Sequence, residues 1–161
     1  MNQATEQWET FAGEFYRDGS FRDIYVFETT AEDWSRLGSF LVAEKYKIRF
    51  SGAWSNASFP DDVGQLFPSG PESALTVLTI DVSGVLVNCH FFSQEEIELD
   101  LDPAEVDGPS KLDAIFCLMR GLANALGKEV LLTPENMREI AIFRCGPQTA
   151  VVEHTPFGGF S

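Results

Sequence analysis

The segment from Glu96 to Asp102 alternates acidic and aliphatic side chains at every position. Side chains two residues apart in a β-strand point to the same side of the sheet. The segment therefore predicts a strand with one acidic face and one aliphatic face that packs into the core. The acidic side chains are Glu96, Glu98, Asp100 and Asp102. Such a strand is typical of an antiparallel sheet that is covered on one side only.

Other strands are predicted on both sides of this segment. Residues 74–82 and 85–92 are apolar runs joined by Ser83 and Gly84, and glycine readily adopts the positive φ that a tight hairpin turn requires. The two runs therefore predict a hairpin that leads into the acidic strand. Shorter strands are predicted at residues 22–28, 46–50, 128–132 and 139–144.

Three segments show helical periodicity. The clearest covers residues 110–126, where apolar side chains follow the helical period for four turns before Gly127. Residues 30–45 form a second helix with a capping sequence at its start, and residues 8–15 form a third. Because strands cluster along the chain instead of alternating with helices, the sequence predicts an α+β two-layer sandwich. Its sheet is mostly antiparallel, with the helices packed on one face.

The length of the chain predicts one domain. A chain of 161 residues, 44% of them hydrophobic, buries enough surface to fold around one core without disulfides or a structural metal. We expect residues 1–145 to form this α+β domain. Residues 146–161 are rich in glycine and proline, which predicts a loosely held C-terminal tail.

The charge balance is strongly acidic. Eleven Lys and Arg residues face 25 Asp and Glu residues, which gives a formal net charge of −14. Such a charge repels nucleic acid and anionic lipid and attracts basic surfaces, although it also serves solubility alone. No apolar run approaches the length of a membrane-spanning helix, and the first residues do not resemble a signal peptide. We therefore expect a cytoplasmic protein that binds neither nucleic acid nor membrane.

The sequence carries no signature of catalysis, of a cofactor or of a metal site. The three cysteines are widely spaced, and no glycine-rich phosphate-binding motif occurs. His90 follows Cys89 in a predicted strand, but adjacent strand residues point to opposite faces, so the two side chains cannot act together. These observations assign no catalytic residue, no cofactor and no metal, and they favour a binding function without excluding an enzyme.

The leading hypothesis is a binding module that recognises a basic protein surface. Carboxylates about 6.5–7 Å apart along the acidic strand suit a row of Lys and Arg side chains better than one metal ion. The predicted partner-binding residues are Glu96, Glu98, Asp100, Asp102 and Trp54. Small inhibitors and immunity proteins that neutralise basic nucleases share this physical character. The alternative for the strand is a solvated polar face that discourages pairing with other sheets.

A long loop at residues 51–73 gives the alternative function. It mixes turn-forming residues with aromatic side chains, which indicates an ordered loop. A small-ligand binder or hydrolase-like enzyme could place its site beneath this loop. The candidate side chains are Asp61, Asp62, Glu95 and His90. Trp54 belongs to the same loop, where it serves either as a binding residue or as part of the core.

Overall fold

The computed structural model describes residues 2–157, which are organised around one antiparallel sheet of eight strands. The strands are Arg22–Phe27 (β1), Lys47–Gly52 (β2), Thr76–Val82 (β3), Val85–His90 (β4), Glu96–Leu101 (β5), Val130–Pro134 (β6), Phe143–Cys145 (β7) and Glu153–His154 (β8). Their order across the sheet is β2-β3-β4-β5-β1-β6-β7-β8. Every neighbouring pair is antiparallel.

Three helices cover one face of this sheet. They are Gln3–Phe11 (α1), Ala31–Ala43 (α2) and Pro109–Leu126 (α3), with short 3₁₀ helices at Ala12–Phe15, Val63–Leu66 and Pro103–Glu105. Thr30 and Asp33 form a reciprocal capping box at the start of α2. Gly127, with φ of 65°, ends α3 in the left-handed conformation that glycine adopts at low cost. The α+β sandwich predicted from the sequence is confirmed.

The core lies between the helices and the sheet. Every second residue of β5 points into it, and Ile97, Leu99 and Leu101 are fully buried. Trp34 of α2 is also fully buried, and its indole nitrogen donates to the carbonyl of Gln94 at 3.0 Å. The opposite side of the sheet, which we call the open face, carries the alternate residues, and none of the helices formed by residues 2–157 covers it.

Strand β1 occupies the middle of the sheet between β5 and β6. Its register places Ile24 opposite Leu99 on one side and opposite Leu132 on the other. By contrast, β2, β3, β4 and β5 follow one another both along the chain and across the sheet. The first strand of the chain is thus held by two partners that are distant in sequence.

The loop at residues 51–73 packs against α2 and the end of the core. Val63 and Leu66 of its 3₁₀ helix are buried. Trp54 is half-buried against the core, and its indole nitrogen donates to the carbonyl of Ser58 at 2.9 Å. The aromatic side chains of Trp54, Phe59 and Phe67 are partly buried against the core.

The structure departs from the sequence prediction at residues 139–144 and adds detail at residues 146–161. The prediction that a strand begins at residue 139 is wrong, because successive turns follow Pro134 and β7 begins only at Phe143. Within the predicted tail, Val152 is buried and β8 pairs with β7. That residues 146–161 form a loosely held tail stays a prediction. Residues 158–161 lie outside the described part of the chain. Among residues 2–157, no helix combines the length and the apolar character needed to span a bilayer.

Candidate binding pocket on the open sheet face

The register of three neighbouring strands brings five polar side chains together on the open face. Asp100 of β5 lies directly opposite Asp23 of β1. One step along β5, Glu98 lies between Tyr25 of β1 and His90 of β4. Residues directly opposite each other in a sheet have Cβ atoms about 4.5–5.5 Å apart, so these side chains interact. The cluster therefore follows from strand pairing and not from sequence proximity.

His90 is held by the carboxylate of Asp100. The distance from Nε2 to Oδ2 is 2.6 Å, and both side chains are about one-fifth exposed. This hydrogen bond, opposed by burial and assisted by the charge of Asp100, raises the pKa of His90. Phe92 stacks on the imidazole with ring centroids 5.3 Å apart and an interplanar angle of 4°. The imidazole is therefore fixed on two sides.

Asp23 is the most buried carboxylate of the cluster, with 4% of its surface exposed. Its Oδ2 accepts hydrogen bonds from the Asn136 backbone N–H at 2.8 Å and from the Tyr25 hydroxyl at 3.2 Å. Burial raises the pKa of Asp23, and the charges of Glu98 and Asp100 raise it further. The Tyr25 hydroxyl lies 3.1 Å from Glu98 Oε1, and burial beside these carboxylates raises the pKa of Tyr25.

These groups line an open pocket of about 430 Å³, which we call the acidic pocket. Its lining residues are Gly19, Phe21, Asp23, His90, Phe92, Glu98, Asp100, Glu135 and Asn136. Phe21 and Phe92 are 40% and 53% exposed, so aromatic surface accompanies the carboxylates. His90 is the single basic side chain among the described residues that line the acidic pocket. Four carboxylates therefore face one titratable base.

An arginine occupies the adjacent part of the open face. Arg138 forms an ion pair with Glu96. Its guanidinium carbon lies 5.4 Å from the ring centroids of both Tyr25 and Phe27, which stack on each other. The hydrogen bond to Glu96 raises the pKa of Arg138. Arg138 therefore neutralises Glu96 and leaves Glu98 without an ion pair among the described residues.

The structure brings together three of the five predicted partner-binding residues. Glu96, Glu98 and Asp100 lie side by side on the open face. Asp102 lies beyond the end of β5, where its Oδ1 accepts a hydrogen bond from the backbone of Ala104 at 2.9 Å. Asp102 thus caps a 3₁₀ helix. Trp54 belongs to the 51–73 loop and does not line the acidic pocket.

Sequence reasoning missed Asp23, Tyr25 and Arg138. Asp23 and Tyr25 lie in a strand that is buried almost throughout. The sequence signal that could have identified them was their polar character among the apolar residues of this strand. A charged residue within an apolar strand is uncommon unless it is paired or functional. Arg138 lies in a turn, and no sequence pattern indicated that this turn lies beside Glu96.

A second pocket, of about 510 Å³, lies between α2 and the 51–73 loop. Gly38, Val42, Phe59 and Asp61 contribute to its lining, whereas Asp62, Glu95 and His90 do not. The titratable residues considered for a site beneath the loop are therefore not assembled there. His90 instead lies in the acidic pocket, on the open face of the sheet.

The cysteines and metal-ligating groups form no further centre in the described part of the chain. Cys89 points into the core, away from His90, and burial raises the pKa of its thiol. The two side chains lie on opposite faces, as predicted. Within residues 2–157, no three His, Cys, Asp or Glu side chains are placed to hold a metal ion.

Comparisons of this chain with protein-family models, with curated proteins and with solved structures found no match.

Proposed function

We propose that this protein binds a basic surface of a partner protein through the open face of its sheet, with the acidic pocket at the centre of the contact. The observation that carries the proposal is the convergence of Asp23, Glu98 and Asp100 in one open pocket. No Lys or Arg side chain among residues 2–157 forms an ion pair with any of these three carboxylates.

Carboxylates held this close repel one another, and a cation placed between them relieves that repulsion. Their interaction with a partner is stronger than that of fully exposed charges because the pocket walls partly exclude water. The net charge of −14 extends the attraction to longer range. Such a field steers a basic partner toward the surface and makes its association fast and sensitive to salt.

The aromatic rim supports binding of a protein surface. Phe21 and Phe92 are exposed beside the carboxylates instead of being buried in the core. Protein interfaces combine apolar contacts that exclude water with a few polar groups that fix orientation. An acidic centre flanked by phenylalanines fits a basic side chain that is itself surrounded by apolar surface.

The test is capture of the partner by purified protein at low and at physiological salt. The double variant Glu98→Gln/Asp100→Asn removes two charges from the pocket. The control Glu6→Gln/Glu9→Gln removes two charges from exposed positions of α1, on the other face of the sheet. We expect the first variant to slow association with a basic partner by about tenfold or more and the control to change it little.

Thermal unfolding of both variants verifies that they are folded under the capture conditions. Association that is insensitive to salt and equal in the wild type and the Glu98→Gln/Asp100→Asn variant would rule out the proposal.

A second candidate function is small-ligand binding or hydrolysis at the same pocket. The observation that favours it is the short His90–Asp100 hydrogen bond beside Tyr25, since a carboxylate-oriented imidazole can act as a general base. His90→Gln separates the two functions. Turnover of chromogenic esters or phosphate esters would be lost in this variant, whereas binding of a basic partner would be retained because the carboxylates of the pocket remain.

A further inference from the structure

We infer that the acidic pocket receives the guanidinium group of an arginine side chain from the partner, in an arrangement that the protein already uses for its own Arg138. This inference rests on the proposed function and specifies the chemistry of its central contact. It follows from a comparison of two neighbouring units on the open face, one centred on Glu96 and the other on Glu98.

The first unit is centred on Glu96 and contains an arginine. Its carboxylate, Glu96, is the cross-strand partner of Phe27. Phe27 stacks on Tyr25 with ring centroids 5.3 Å apart and an interplanar angle of 16°. Arg138 pairs with Glu96 and places its guanidinium 5.4 Å from both ring centroids. A carboxylate beside a stacked ring pair is thus a guanidinium site in this fold.

The second unit is centred on Glu98 and has similar parts, although one of its two stacked rings is an imidazole that is hydrogen-bonded to Asp100. Its carboxylate, Glu98, is the cross-strand partner of His90. His90 stacks on Phe92 with ring centroids 5.3 Å apart and an interplanar angle of 4°. Asp23 and Asp100 add two further carboxylates. Among the described residues no Lys or Arg side chain forms an ion pair with this unit, although Arg138 lines a neighbouring cavity together with Glu98, His90 and Phe92. The unit opens to solvent through the acidic pocket.

Guanidinium fits this unit better than ammonium for two reasons. It is planar and weakly hydrated, so it stacks on the exposed aromatic surface of Phe92, as Arg138 does on its own ring pair. It also presents several N–H donors in a fixed plane, which allows paired hydrogen bonds to a carboxylate such as Glu98. An ammonium group offers only a compact charge without a flat surface.

The experiment is an NMR titration of the full chain with three capped amino acid amides. Nα-acetyl-arginine amide is the probe, Nα-acetyl-lysine amide tests charge alone, and Nα-acetyl-citrulline amide keeps the shape of arginine without its charge. We expect saturable shifts at Phe92 and Asn136 with a dissociation constant on the order of 1 mM for the arginine probe. The lysine probe should bind at least about threefold more weakly, and the citrulline probe should not saturate.

Two variants make the assignment specific. Glu98→Gln should weaken binding of the arginine probe by about tenfold, since it removes the carboxylate of the second unit. Arg138→Gln removes the internal guanidinium and should add a second arginine site, with new shifts at Tyr25 and Phe27. This variant also serves as a positive control, because it measures how strongly the first unit binds the same probe.

Several outcomes would overturn the inference. These are equal binding of the arginine and lysine probes, saturable shifts that Glu98→Gln leaves unchanged, and no saturable binding at Phe92 in the wild type. If the arginine probe fails while partner capture remains salt-sensitive and depends on Glu98 and Asp100, the proposed function stands and the guanidinium assignment is wrong. If the probe binds while capture is independent of those residues, the proposed function is wrong.

Discussion

The side-chain amide of Gln3 pairs with the backbone of Val152 through two reciprocal hydrogen bonds. Gln3 Nε2 donates to the carbonyl oxygen of Val152 at 2.7 Å, and the backbone N–H of Val152 donates to Gln3 Oε1 at 3.0 Å. The side chain of Gln3 thus gives Val152, which immediately precedes β8, the hydrogen-bond donor and acceptor that a neighbouring strand would give. This contact joins α1 to the C-terminal edge of the sheet.

Replacing Gln3 should weaken this edge measurably. Gln3→Ala removes both hydrogen bonds and leaves two half-buried backbone groups without that partner, so we expect the free energy of unfolding to fall by about 1–3 kcal/mol. Gln7→Ala is the matched control, since Gln7 lies one turn later on the same helix and is exposed. Its change should stay within about 0.5 kcal/mol in urea denaturation. Equal effects of the two substitutions would contradict the role assigned to the pair.

Two glycines with positive φ should differ sharply in their tolerance of alanine. A Cβ atom on Gly52, which has φ of 92°, would lie 2.0 Å from the carbonyl oxygen of Leu75, so Gly52→Ala forces the backbone of β2 to move. We expect it to cost about 3 kcal/mol or more. Gly127, with φ of 65°, has no atom near its Cβ position, and Gly127→Ala should cost about 1–2 kcal/mol from the backbone conformation alone. Thermal unfolding of the two variants measures the difference.

The His90–Asp100 pair should make stability depend on pH near neutrality. The pKa of His90 is raised in the folded state, mainly by the hydrogen bond to Asp100 and also by the charges of Glu98 and Asp23. The stability that His90 contributes to the folded state is therefore fully present below its pKa in the unfolded chain, about 6.5. This stability is lost as the pH rises through the higher pKa that His90 has in the folded protein. Urea denaturation between pH 5.5 and about 9 should show this decline. A decline of the same size in His90→Gln would assign it to another group.

Ionised Asp23 should lower the stability of the folded protein, whereas an ordinary ion-paired carboxylate raises it. Burial raises the pKa of Asp23 above the usual value of 3.8 for an aspartate, so ionisation at neutral pH opposes folding. Asp23→Asn keeps an oxygen acceptor for Tyr25 and Asn136, and we expect it to be more stable than the wild type at pH 7. The advantage should disappear below pH ~4, where the carboxyl group is protonated in both states. A variant that is less stable at pH 7 would show that the carboxylate itself stabilises the fold.

Trp54 allows the packing and binding roles of the 51–73 loop to be separated. Trp54→Phe keeps an aromatic ring but removes the hydrogen bond to Ser58, and we expect a loss of about 1 kcal/mol in the free energy of unfolding. Because Trp54 does not line the acidic pocket, the folded variant should capture a basic partner as well as the wild type does. Reduced capture by the folded variant would support the binding role that the sequence predicted for this residue.

The sequence predicted those features of the fold that depend on local pattern. The alternation of residues 96–102 placed Glu98 and Asp100 on a polar face, because the side-chain period of a strand is fixed by its geometry. The hairpin at Ser83 and Gly84 was equally predictable from the sequence, and both residues have the positive φ that such a turn requires. The α3 helix followed from its apolar period and from Gly127.

The candidate site depends on pairings that no local pattern specifies. Asp23 faces Asp100 only because β1 inserts between β5 and β6, and the choice of partner for a distant strand is made by tertiary packing. Arg138 reaches Glu96 from a turn 42 residues away in sequence. Sequence reasoning could therefore identify the β5 carboxylates and name His90 as a candidate, but it could not place His90, Asp23 and Tyr25 opposite those carboxylates.

The central position of β1 also sets an order of events during synthesis. Residues 22–27 are made before their hydrogen-bonding partners at residues 96–101 and 130–134. The strands β2, β3 and β4 can pair with their immediate successors as they appear, whereas β1 must wait with Ile24 and Val26 unpaired. Such long-range pairing slows folding and exposes apolar segments in the meantime. Strand β1 thus leaves the ribosome before both of its partners and pairs only after they have been made.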